Sequence, residues 1–154
     1  MGFKVPLKVT EIQLVYKNEV RAKDRPIVMS SQDAYWVFES NWSEQMGLVE
    51  EFNIMLLDRS SRVMSLCNVS KGGITSTIVD LKIVFAAALK GRANSIILAH
   101  NHPSCNLRPS QADIELTRKF DQAGKLLGIQ VLDHLILSPE GGYYSFGDNL
   151  QMGR

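Results

Sequence analysis

Residues 95–113 read SIILAHNHPSCNLRPSQAD: an apolar run, two histidines one residue apart, a loop between two prolines, then Ser110 and Asp113. SIILA has the length and composition of a short buried strand. In extended chain, residues i and i+2 project to the same side, so His100 and His102 can converge while Asn101 points away. Pro103 and Pro109 stiffen the loop that follows. Ser110-Gln-Ala-Asp113 has the spacing of a capping box, in which a serine and an acidic residue satisfy the orphan amides of a helix start. The stretch is therefore a strand–loop–helix junction at a strand's carboxyl end, where open α/β sheets build their sites. It also holds two of the chain's 3 histidines. Two imidazoles and the Asp113 carboxylate make a tridentate donor set for Zn²⁺, with a fourth position left for water. Cap and metal site are compatible, because Ser110 can close the helix and still direct its hydroxyl at the site.

Working outward, a helix from Ser110 would turn Ile114, Leu116, Phe120, Ala123 and Leu127 inward. IQVLDHLIL (129–137) is a strong strand, and Gly141-Gly142 turns the chain into a last short strand at Tyr143–Phe146. Upstream, EEFNIMLLD (50–58) is a buried strand ending in the turn Asp58–Ser61, with residues 62–69 returning beside it. Gly72-Gly73 breaks the pattern. Thr77 with Asp80 resembles a helix start, ahead of a small-residue face of Ile83, Val84, Ala87, Ala88 and Gly91. Ser31 would cap an earlier helix with a Tyr35, Phe38, Trp42, Met46 stripe, and LKVTEIQLVY (7–16) alternates as a strand does. This order predicts an α/β fold of three layers, α/β/α, around a mixed sheet. The expected division is an N-terminal extension with strand character over 1–29 and one domain over 30–154.

Composition narrows the function. The 154 residues carry 17 Lys+Arg against 16 Asp+Glu, so no global field points to nucleic acid or acidic lipid. A mild basic excess near the start (Lys4, Lys8, Lys17, Arg21, Lys23, Arg25) reads as a solvated face. No apolar run approaches the ~20 residues of a membrane span, and no signal-peptide pattern opens the chain. Cys67 and Cys105 form neither a metal-ligand pair nor a disulfide framework, so a reducing cytoplasm is the expected setting. The His-Glu-x-x-His helix of common zinc proteases is absent. The Pro-Cys-x-x-Cys of zinc deaminases is absent too, and Cys105 has no partner at that spacing.

The pattern His100-x-His102-x₇-Ser110-x₂-Asp113 matches the JAMM (MPN+/JAB) metalloprotease motif at every fixed position. HNHPS…PSQAD, with EEFNIMLLD before it and LDHLIL after it, resembles the RadC branch of that family over roughly residues 30–148. The resemblance implies a cytidine-deaminase-like fold, a mixed sheet between helices. It implies that His100, His102 and Asp113 hold Zn²⁺, that Ser110 stabilises an oxyanion, and that an upstream glutamate serves as the base. The family's register selects Glu50, and a shift of one residue would exchange it for Glu51. His134 fits the family's Asp-His strand pattern and reads as a strand histidine hydrogen-bonded near the site, with Asp133 as its partner or as a separate strand polar group. Trp42 and Phe52 read as core.

Two departures stand out. RadC-like sequences usually have glycine where this one has Cys105; if that position needs a positive φ, cysteine is strained there. A thiol so placed could also reach the metal. Longer RadC proteins carry a helix-hairpin-helix DNA-binding region, and residues 1–29 read as extra strand instead.

The implied activity is zinc-dependent hydrolysis of a peptide or isopeptide bond, with a peptide or protein as substrate and no membrane partner. The rival is a non-catalytic RadC-type module acting in DNA repair or genome maintenance, which the charge balance does not support. Phosphodiester hydrolysis would want a second metal or a phosphate clamp, and the sequence shows neither.

Overall fold

The computed structural model describes residue 10 and residues 12–73 and 78–152. In chain order the elements are α1 (Ser31–Ser40), β1 (Glu51–Leu57), β2 (Val63–Lys71), α2 (Leu81–Lys90), β3 (Ser95–Asn101), α3 (Gln111–Leu127), β4 (Gln130–Leu137) and β5 (Tyr143–Ser145). The five strands form one sheet in the order β2-β1-β3-β4-β5. β3 and β4 run parallel, as α3 requires of a crossover connection, and the other neighbours are antiparallel. The expected mixed sheet between helices is the observed fold.

Strand parity sorts the core into two layers. Phe52, Ile54, Leu56, Ile96 and Leu98 face α2 and α3, packing with Val84, Phe85 and Phe120. Met55, Leu57, Ile97, Ala99, Leu135 and Leu137 face the other way, onto Ala34 and Phe38 of α1. The central strand β3 is buried along its whole length, which is why it reads as a continuous apolar run. Parity also fixes the site: even-numbered β3 residues face α3, and His100 is one of them.

Local chemistry ends the helices. Asp80 caps α2 by accepting from the Lys82 amide. Gly128 closes α3 at φ 69°, a left-handed residue that suits glycine. One turn earlier, a Cβ on Gly124 would meet the Ile129 carbonyl oxygen at 2.4 Å, so glycine there lets α3 lie against the chain entering β4.

Three expectations are corrected. Ser30, not Ser31, caps α1, accepting from the Asp33 amide. The helix stops at Ser40 because the Asn41 side chain bonds back to the Val37 carbonyl at 2.8 Å. Trp42 and Met46 nonetheless pack on the α1 side of the core. The strand expected at 7–16 does not form over its described residues: Ile12 and Leu14 are 83% and 90% exposed, their alternation unmatched by any sheet edge. Ile27 alone makes an isolated bridge, to Arg62. Residues 7–9 and Thr77 lie outside the described residues. No helix among the described residues is long and apolar enough to cross a membrane.

Candidate metal centre

β3 delivers His100 at its buried end, and His102 follows one residue past the strand. α3 begins at the predicted cap. The Ser110 hydroxyl accepts from the Asp113 amide at 3.0 Å, and the Asp113 carboxylate accepts from the Ser110 amide at 2.7 Å. That capping box turns the Asp113 carboxylate back toward the histidines.

The donor atoms converge. His100 Nε2 and His102 Nε2 are 3.0 Å apart. Asp113 Oδ1 lies 3.2 Å from His100 Nε2, and Oδ2 lies 3.4 Å from His102 Nε2. Ligands on a Zn²⁺ tetrahedron with ~2.0–2.1 Å bonds sit roughly 3.3 Å from one another. The three residues form one cluster with the spacing and donor chemistry of a tridentate zinc site. His102 is oriented for it: its Nδ1 lies 2.6 Å from the Asn106 carbonyl, which can only accept, so the proton sits on Nδ1 and Nε2 presents its lone pair.

Charge follows geometry. Burial alone would raise the Asp113 pKa, but the adjacent His100 and His102 rings, which bond to the carboxylate whenever they are protonated, and the Ser110 amide outweigh it and hold the carboxyl well below the carboxylate range. Burial likewise pulls His102 down, and Asp113 together with the Asn106 carbonyl more than restores it. His134, fully enclosed, is held far below the usual imidazole value by desolvation.

Glu50, just before β1, lines the same groove, of about 740 Å³, with Phe52, His100, His102, Ser110 and Asp113. Burial raises its pKa, and His100 and His102 lower it in part. Glu51 points through the sheet to the other side. Its carboxylate accepts from the Ser43 hydroxyl at 2.8 and 2.9 Å and pairs with Lys71 at 2.9 Å. Phe52 is core, as expected, but its ring also stacks parallel to His100, centroids 6.1 Å apart. Cys105 does take a positive φ, 66°, and its thiol lies outside the donor cluster, 3.8 Å from the Pro103 carbonyl. Asp133 is not the partner of the His134 ring: it faces the opposite side, accepting from the Ser145 hydroxyl and the Gly147 amide.

Asn101 was legible only as the residue pointing away. Its side-chain oxygen accepts from the Glu51 amide at 2.7 Å, and its NH₂ donates to the Met46 and Val49 carbonyls at 2.6 and 2.9 Å. Those bonds tie the segment bearing Glu50 to the end of β3. No local pattern announces this, because the partners lie about fifty positions upstream.

Residues 28–152 match the RadC-like JAB domain. The chain belongs to the RadC-like JAB family. Among its relatives, a UPF0758 protein of Flavobacterium johnsoniae is 45% identical over 121 residues, covering 79% of this chain and 52% of that protein. One from Finegoldia magna is 54% identical over 90 residues, 58% of this chain and 40% of the relative. One from Syntrophotalea carbinolica is 33% identical over 150 residues, 93% and 64% respectively. The chain spans about half the length of the first of these relatives. The JAB match encloses every residue of the cluster.

Proposed function

We propose that this RadC-like JAB domain is a zinc-dependent hydrolase of peptide or isopeptide bonds. The observation that carries this reading is the convergence of His100, His102 and Asp113 opposite Glu50, whose carboxylate has no hydrogen-bond or ion-pair partner among the described residues. Zn²⁺ held by the three ligands would supply Lewis acidity, polarising a carbonyl and lowering the pKa of water toward ~7. Glu50 takes the proton of the attacking water as its oxygen bonds to the carbonyl carbon. It returns that proton to the amine nitrogen as the C–N bond breaks, so amide and water become acid and amine. Ser110 spends only an acceptor lone pair on its cap, which leaves its O–H to donate to the developing oxyanion. One such donor is worth ~2.7–4 kcal/mol. Burial serves Glu50 by raising its pKa toward working pH, where a carboxylate both accepts and releases a proton efficiently.

Metal analysis and an unbiased peptide-cleavage profile test the proposal together. About one Zn²⁺ per chain is expected, with cleavage that chelation abolishes. The His100→Ala/His102→Ala double variant should lose both. Full zinc retention in that variant would overturn the site.

A further inference from the structure

His134 and Thr117 belong to no step of the proposed chemistry, yet they join two of its ligands. Both are buried, at 0% and 1% exposure. His134 Nε2 lies 2.8 Å from His100 Nδ1, and its Nδ1 lies 2.6 Å from Thr117 Oγ1. Thr117 Oγ1 in turn donates to the backbone carbonyl of Asp113 at 2.7 Å. The path runs from β3 through β4 to the first turn of α3.

Counting protons gives every bond in it a direction. The Asp113 carbonyl can only accept, so the single Thr117 hydroxyl proton is committed there. Toward His134, Thr117 must then accept, which places a proton on His134 Nδ1. His134 is packed between Phe52 and Phe146, and among the described residues its ring nitrogens bond to His100 and Thr117 and to no carboxylate, so it stays neutral. Its Nε2 is therefore a bare acceptor, and His100 Nδ1 must carry the proton that reaches it. In neutral His100 this leaves Nε2 as the lone-pair atom, the one facing His102 and Asp113.

We propose that His134 and Thr117 are positioning residues that fix the tautomer of His100 and couple its ring to the helix turn bearing Asp113. This rests on the reading of the cluster as a zinc site. The two histidine ligands are thus set by different devices. A loop carbonyl fixes His102 locally, whereas a buried chain anchored on α3 fixes His100. That chain ends on a carbonyl, so it orients a ligand and conducts no proton.

The test compares Thr117→Val, His134→Phe and His134→Gln in the full chain, using Zn²⁺ affinity against a competing chelator. Imidazole ¹⁵N spectra of the metal-free proteins supply a second readout. Loss of an outer partner of a ligand histidine weakens metal binding by about 10- to 100-fold. Thr117→Val and His134→Phe should show that loss, with mixed His100 tautomers. His134→Gln should recover most of the affinity, because its amide oxygen can accept from His100 while its NH₂ donates to Thr117. Wild-type His100 should be protonated on Nδ1. A wild-type His100 protonated on Nε2 would overturn the proposal. So would zinc affinity unchanged in a natively folded Thr117→Val. If His134→Phe does not fold, Thr117→Val and His134→Gln decide by the same criteria. A wild type that binds no zinc would instead overturn the hydrolase reading, with the tautomer still measurable. Zinc binding without hydrolysis would overturn the hydrolase reading alone, and the affinity and tautomer criteria would still decide the positioning role.

Discussion

Glu50 and Glu51 are identical side chains on neighbouring residues, and the fold gives them opposite fates. Glu50 opens into the groove beside the histidines with no partner for its carboxylate among the described residues. Glu51, 1% exposed, lies across the sheet, held by Ser43 and Lys71. The difference comes from strand parity alone. A one-residue slip of β1 would take Glu51 off Ser43 and Lys71 and turn Phe52, Ile54 and Leu56 away from α2 and α3. Register is opposed to that slip from both sides. Phe52, Ile54 and Leu56 must face α3 and α2, and Asn101 clamps the Glu51 amide. A reactive carboxylate is one the fold leaves unsatisfied, and a structural one is saturated.

The strongest way to break this contrast is to neutralise each residue in turn. Glu50→Gln keeps the shape, removes the proposed base and, on the hydrolase reading, should keep full zinc while turnover falls by ~10²–10⁴-fold. Steady-state cleavage beside metal analysis reads both. Turnover that survives Glu50→Gln and disappears in Glu51→Gln would mean the register assigned here is wrong.

Glu51→Gln should have the complementary phenotype: activity and zinc near wild type, and stability lower by about 1–3 kcal/mol, since buried hydrogen bonds to a charged acceptor are lost. Chemical denaturation midpoints check it. Lys71→Met sharpens the point. Among the described residues it leaves the buried Glu51 charge with only the Ser43 hydroxyl, whereas Glu51→Gln leaves behind a lysine whose side chain is 46% exposed and can be hydrated. Lys71→Met should therefore destabilise more than Glu51→Gln, although Lys71 is the more exposed partner.

What could be read from sequence, and what could not, follows the same division between local and distant determinants. The i, i+2 histidines and the Ser110–Asp113 capping box are set by a few neighbouring residues, so both the His100–His102–Asp113 cluster and the α3 start were visible. The order of strands and helices was equally visible in the apolar runs, because each buried strand must be apolar on the faces it covers. Residues 12–16 show the limit. Alternation makes a segment able to be a strand, but a sheet edge must accept it, and none does over the described residues. The choice between Glu50 and Glu51 needed a register that composition does not set. Asn101 and Thr117 carry no local signal and His134 shows only as a strand histidine near the site, because their partners across the fold lie 17 to 55 positions away. Cys105 is the converse case: the family's usual glycine marks the position in the sequence, and its left-handed backbone is a local cost of about 1–2 kcal/mol.

The smallest expected effect is a pH dependence that separates the two glutamates without disturbing either site. In the metal-free protein, burial raises the Glu50 pKa above its ordinary 4.5. The folded state then binds that proton more tightly than the unfolded chain does. Its contribution to stability is fully present below 4.5 and is lost as pH rises through the folded value, because ionisation is easier once the chain unfolds. Glu50→Gln cannot ionise and escapes the loss. The stability of wild type relative to Glu50→Gln should therefore fall with rising pH across that window and level off above it. Urea denaturation of both proteins at a series of pH values measures the difference, and a flat or rising difference would contradict the assignment. Zinc should shrink the effect, since a cation opposite the carboxylate favours its charged form.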